Sequence, residues 1–333
     1  MPVESREQAL IARIRERLPR DPAWVQLGIG DDAAVVEPER NALEILTTDT
    51  LVEGIHWDPA FCSLADVGHK SLAVNLSDLA AMGGSPRAAL LSLCLPSDWV
   101  TAKVDALIDG FAAAAIAFGV AVIGGNVTST PGPVVINVTV TGHARPRRIL
   151  TRSGGRAGDT LFVTGSVGAA LAGLLWLKDH PSLDEPADPG LAECVRRYRR
   201  PDPRVRVGQL FGRNRAATAC MDLSDGLADA VRQVAVGSNT GARIVAEHLP
   251  VPQAAVGEFQ RLGKDPVLAA AEGGDDYELL LAVPARKRQA AKALGRLSRG
   301  VALTPVGELT KDQRIVLVRR GQEEDLPLGF SHF

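Results

Sequence analysis

The chain has 333 residues, long enough for two domains of ordinary size, each with a core of its own. With 46% hydrophobic and 23% charged residues, a net charge of −2 and no basic run, it reads as a soluble globular enzyme, which excludes a disordered chain and argues against nucleic acid or an anionic membrane as partner. No apolar run approaches ~18 residues. The start of the chain reads as an Arg-rich amphipathic helix and not as a signal sequence. Cys62, Cys94, Cys194 and Cys220 form no CxxC pair, so the expectation is a cytoplasmic protein with reduced, mostly buried thiols.

In chain order, Ser5 and Gln8 stand at capping-box spacing, and Leu10, Ile11, Ile14 and Leu18 make one apolar face before Pro19 ends the first predicted helix. Next comes the turn Gly28-Ile29-Gly30-Asp31-Asp32, then a short strand, 43–46, running into Thr47-Thr48-Asp49-Thr50. Ser63 is placed to cap a helix over 64–82, stopped by Gly83-Gly84. A strand at 88–95, a helix from Asp98 to 118–119 and strands at 120–123 and 134–141 complete one α/β layer domain. The basic, glycine-containing stretch 145–158 marks a domain joint, which predicts domains at 1–145 and 146–333.

The second domain opens with a strand at 160–164, a glycine turn and an alanine- and leucine-rich helix ending near 178. Residues 179–190, with three prolines and four acids, read as a solvated loop. An arginine-rich helical stretch follows, then a strand at 217–221 that ends in Asp222-Leu223-Ser224-Asp225-Gly226, and a helix to about 236. Segments 277–283, 285–297 and 315–318 predict a closing strand–helix–strand.

Four acid-bearing turns stand out: 30–32, 48–50, 222–226 and 273–276, with Asp78 added from the helix before Gly83. Taken alone, each reads as a turn or cap acid before it reads as a ligand; Asp222 or Ser224, for instance, is placed to cap the next helix. Together they repel one another unless a hard cation relieves the charge, and Mg²⁺ takes a few carboxylates plus substrate phosphates. Other chemistries fare worse. The six histidines lack HxxxH and HxxH spacing, and there is neither a GxSxG elbow nor a GxxxxGK[ST] loop. Gly28-x-Gly30 lacks the third glycine and the clean preceding strand of a dinucleotide site. Phosphoryl transfer, which needs charge neutralisation and alignment more than a covalent nucleophile, is what remains.

These motifs resemble the thiamine-monophosphate kinase family: GIGDDA at 28–33, TDTLVEG at 48–54, AVNLSDLAAMG at 73–83, TRSG at 151–154, DLSDGL at 222–227 and GGDDYEL at 273–279. The resemblance runs in order from about residue 10 to the C-terminus. It implies ATP-dependent phosphorylation of thiamine monophosphate to thiamine diphosphate, the last step of thiamine diphosphate biosynthesis. It implies the two-domain α/β (α+β) fold of the aminoimidazole ribonucleotide synthetase and selenophosphate synthetase superfamily. In that fold a ferredoxin-like N-terminal domain dimerises, a C-terminal α/β domain follows, and the active site lies between domains. By motif, Asp32, Thr47, Thr48, Asp49, Asp78, Asp222 and Asp225 would hold several Mg²⁺ ions. Gly125, Arg152 and Ser224 would meet ATP, and His56, Asp275 and Phe330 would meet the thiamine moiety. No protein general base is implied, because a substrate phosphate oxygen is already anionic at neutral pH.

Phe330 reads equally as a tail residue tucked against the core. One departure bears on chemistry: the family's Gly-Gly-Asp is Gly124-Gly125-Asn126 here, so a metal-ligating and ATP-side carboxylate has become an amide. An amide carbonyl still coordinates Mg²⁺ but adds no charge, so the expectation is one weakened metal site, tightened again by Asn126→Asp. Two rival readings remain from sequence: an aminoimidazole ribonucleotide synthetase-like enzyme, and a non-catalytic nucleotide- or thiamine-phosphate-binding protein.

Overall fold

The computed structural model describes residues 6–298 and 300–330; Ser5 of the expected capping box lies outside them. The chain divides into two compact units, one of residues 6–76 with 85–144, the other of 77–84 with 145–330. The second unit takes the short segment 77–84, which its own residues hold: the Leu150 amide bonds the Met82 carbonyl at 3.0 Å. A single boundary in sequence does not reveal that exchange.

In the first unit, helix α1 (Arg6–Arg17) leads to a small ribbon, β1 (Val25–Leu27) with β2 (Val35–Val36). Then come β3 (Leu43–Val52), α2 (Leu64–Ala81), β4 (Ser85–Pro96), α3 (Thr101–Phe118), β5 (Ala121–Thr130) and β6 (Val135–Ala144). The four longer strands form one sheet in the order β3-β6-β4-β5, antiparallel except for the parallel pair β4–β5. Alternation along β6 buries Ile136, Val138 and Val140 while Asn137 and Thr139 stay partly open, which is the signature of a sheet covered on one face. Helices α2 and α3 make the cover, and they cross backbone to backbone: a Cβ on Gly110 would lie 1.9 Å from the Ala65 carbonyl oxygen.

Ser63 caps α2 as expected, its Oγ accepting from the Asp66 amide at 3.2 Å and donating to the Asp66 carboxylate at 2.6 Å. Asp98 does not start α3, which begins after Val100 with no side-chain cap. Two strands run further than the sequence suggests. β3 continues straight through Thr47-Thr48-Asp49-Thr50, and β5 through Gly124-Gly125-Asn126. Neither segment is a turn, because an unbroken ladder with β6, and a ladder with β4 irregular only between Ala89 and Leu90, override the weak strand preference of Asp, Asn and Gly.

The second unit contains β7 (Thr160–Thr164), α4 (Ala169–Asp179), α5 (Pro189–Arg199), α6 (Val205–Asn214), β8 (Ala219–Asp222), α7 (Leu227–Gly237), β9 (Gly241–Val245), α8 (Gln253–Arg261), α9 (Pro266–Glu272), β10 (Leu279–Val283), α10 (Arg288–Leu297), β11 (Leu303–Thr310), β12 (Ile315–Arg319) and β13 (Gln322–Asp325). Its seven strands lie in the order β13-β12-β9-β11-β7-β10-β8, antiparallel except for β12–β9. Leu161, Val163, Leu280 and Ala282 of the central strands pack with Val231 and Val234 of α7 and Phe259 of α8 in a fully buried core. Strands β9, β11 and β13 and helices α8 and α9 escaped the sequence reading. β11 carries Pro305 and Gly307 around a bulge, residues that punctuate a sequence as loop.

Candidate active site

In the first unit the turn between β1 and β2 sits over a cavity of ≈ 1390 Å³ lined by Asp31, Asp32, Gly125, Asn126, Asn137 and apolar residues of α1, β4 and β5. Asp31 shapes the turn: its Oδ1 accepts from the Asp32 amide at 2.8 Å. Asp32 and Asn126 therefore line the same space. Gly125 has a structural reason to be glycine, since a Cβ there would lie 1.8 Å from the Leu91 carbonyl oxygen of β4.

Thr47, Thr48 and Asp49 lie on β3, at the opposite edge of the sheet from β5. Asp49 is in line with Val138, Leu91 and Gly125, three strand spacings or about 14 Å across. Alternation sends Thr48 to one face and Thr47 and Asp49 to the other. The Thr48 hydroxyl bonds the Val138 carbonyl at 3.2 Å and the Thr139 hydroxyl at 3.1 Å. His56 follows β3 in a tight loop where its Nδ1 accepts from the Val52 amide at 3.0 Å, so the ring proton resides on Nε2.

In the second unit, distant motifs meet. Asp222 ends β8 and is only 2% exposed, and Ser77 Oγ donates to its Oδ2 at 2.7 Å. Asp78 is the next residue of α2. The following helix is not capped by Asp222 or Ser224: its N-cap is Gly226, with no side-chain bond. Instead the loop pairs with the 273–278 segment, the Asp275 amide bonding the Ser224 carbonyl at 2.8 Å and the Tyr277 amide the Leu223 carbonyl at 3.1 Å. Asp275 and Tyr277 both adopt positive φ, 67° and 49°, at a cost of order 1–3 kcal/mol each that the surrounding bonds must offset. The Tyr277 hydroxyl donates to Asp275 Oδ1 at 3.1 Å. Thr151 runs beside β8, its carbonyl accepting from the Cys220 amide at 2.8 Å, and the next residue, Arg152, donates to Gln233 Oε1 at 2.7 Å. The Phe330 amide bonds the Asp225 carbonyl at 3.0 Å.

Residues 30–144 match AIR synthase related protein, N-terminal domain, and residues 156–320 match AIR synthase related protein, C-terminal domain. The chain is 37% identical over 334 residues to thiamine-monophosphate kinase of Escherichia coli K12, covering 98% of each. It belongs to the thiamine-monophosphate kinase family. Its fold is similar to the crystal structure of the Stenotrophomonas maltophilia K279a thiamine-monophosphate kinase, with TM-score 0.82, 37% identity and coverage of 95% and 97% of the two chains. It is also similar to AaThiL complexed with AMPPCP and TMP, with TM-score 0.77, 31% identity and coverage of 92% of each.

Family motifs also carry residues whose work is structural. Asp276 is buried and accepts from the Gly168 amide at 2.6 Å and the Ala170 amide at 3.1 Å, closing the start of α4. Burial pushes its carboxyl up to about 7, against the pull of those two N–H groups. Glu278, fully buried, accepts from Arg197, from Arg204 through Nε and Nη2 at 2.6 Å each, and from Thr164 at 2.6 Å. Such a desolvated group persists because every oxygen is satisfied. Ser77, Gln233 and Tyr277, which touch the expected site residues, were missed; Ser77 and Tyr277 stand inside the quoted motifs, and only Gln233 carries no signal in sequence.

Among the described residues no three His, Cys, Asp or Glu side chains form a ready-made metal cluster. The donors singled out by sequence are nevertheless all hard oxygens, and the Ser77 hydroxyl orients the Asp222 carboxylate as a supporting group orients a ligand. That chemistry fits Mg²⁺, which completes its shell with water and phosphate oxygens.

Proposed function

We propose that this chain transfers the γ-phosphoryl group of ATP to thiamine monophosphate, giving thiamine diphosphate. The observation that carries the reading is the 37% identity to the Escherichia coli kinase over 98% of both chains, supported by the 31% identity to a protein complexed with AMPPCP and TMP. Several Mg²⁺ ions, when bound, supply charge neutralisation for the phosphates. Asp32 and Asn126 in the first unit, and Asp78, Asp222 and Asp225 in the second, are the residues proposed to hold them, with Thr47, Thr48 and Asp49 contributing from β3. Gly125, Arg152 and Ser224 serve ATP, Arg152 held in direction by Gln233. His56, Asp275 and Phe330 serve the thiamine end, with Asp275 held by Tyr277. The acceptor phosphate oxygen needs no protein base, so alignment is the enzyme's main task.

The proposal extends to a cytoplasmic homodimer joined through the open face of the first unit's sheet, with the domain frontier near residue 145. Leu46, 67% exposed, presents apolar surface on that face, and all four cysteines are free. No helix among the described residues is long and apolar enough to cross a membrane. ADP release measured with ATP and Mg²⁺, with and without thiamine monophosphate, tests the function. Release that requires thiamine monophosphate supports it; no release, or release indifferent to that substrate, favours a binding protein or a different synthetase.

A further inference from the structure

Residues 326–330 run as a strap past the N-terminal end of α7, and four contacts fix its course. Leu326 is buried in the core. The Arg232 guanidinium, on α7, donates to the carbonyls of Leu326 and Pro327, reaching the latter at 3.1 Å from Nη2 and 3.3 Å from Nε. At Gly329 a Cβ would lie 2.6 Å from the Asp229 Cβ and 2.7 Å from the Asp225 carbonyl oxygen, so the strap touches the start of α7 where no side chain fits. The Phe330 amide then bonds the Asp225 carbonyl. Between and beyond these ties Leu328 and Phe330 stand 75% and 54% exposed.

A planar guanidinium that holds two successive carbonyls sets both the position and the direction of the backbone. Stacking of a ring on an aromatic substrate depends on offset and tilt, so a strap displaced by about 1 Å loses the contact. We propose that Arg232 and Gly329 are positioning residues for the acceptor, fixing where Phe330 presents its ring to the thiamine end of the substrate. This rests on the reading of Phe330 as a substrate contact in the proposed kinase.

The test is steady-state kinetics of the full chain, with KM for thiamine monophosphate and for ATP measured separately beside the thermal midpoint. Phe330→Ala is expected to raise KM for thiamine monophosphate about tenfold, the scale of one lost aromatic contact. Arg232→Ala and Gly329→Ala are expected to reproduce that rise with KM for ATP unchanged. Arg232→Lys, which keeps a donor without the fork, is expected to fall between. The double variant Arg232→Ala with Phe330→Ala is expected to be no worse than Phe330→Ala alone. Should Arg232→Ala unfold, Gly329→Ala and Arg232→Lys carry the test. If Phe330→Ala raises KM and the strap variants do not, or if the double variant is additive, the inference is overturned while the ring contact stands. If Phe330→Ala leaves KM unchanged, the ring contact is overturned and the strap's role with it.

Discussion

Asp222 combines three features: it ends a strand, it is buried, and a serine from another part of the chain holds one of its oxygens. Its acid at a strand end was visible in sequence, but its partner was not, because Ser77 lies 145 residues away on a helix. Asp49 shows the opposite case. The sequence made it a turn acid, whereas a complete ladder with β6 keeps it in a strand far across the sheet from Asn126. Asp222→Asn keeps the size and the contact with Ser77 but removes the charge. It is expected to lower turnover by at least about a hundredfold, with the melting temperature nearly unchanged. Turnover near wild type in that variant would remove Asp222 from the phosphate machinery.

A helix with a clear cap and a glycine stop, such as α2, was legible almost to the residue, whereas α9, seven residues long, and the bulged β11 were not. The α2–α3 crossing was also invisible, since a lone glycine inside a helix reads as a weakness until its neighbour is known. Gly110→Ala is expected to destabilise the chain by roughly 3 kcal/mol or more in urea unfolding, because the added methyl meets backbone that has no rotamer to yield. A loss no larger than that of an ordinary surface helix substitution would contradict the crossing. The start of α4 carries the pH dependence. Asp276 titrates at about 7 in the folded chain against 3.8 as its ordinary value. The folded state therefore holds the proton longer, and stability present at acid pH is lost as pH rises from about 4 through about 7. Asp276→Asn is expected to flatten that decline, read from unfolding midpoints at a series of pH values; an unchanged slope would contradict it.

At the scale of the molecule, two α/β units were legible because strand and helix patterns restart after residue 158, but the assignment of 77–84 to the second unit was not. The proposed dimer predicts a solution mass near twice 35.2 kDa by light scattering. Leu46→Glu is expected to shift it to the single-chain mass; a wild-type monomer would contradict the interface. Transfer itself is tested by following the phosphorus. With ATP labelled at the γ-phosphate, Mg²⁺ and thiamine monophosphate, label is expected in the terminal phosphate of thiamine diphosphate, appearing at least about a hundredfold more slowly with Asp222→Asn. Label appearing only as inorganic phosphate, or remaining on ATP, would contradict it.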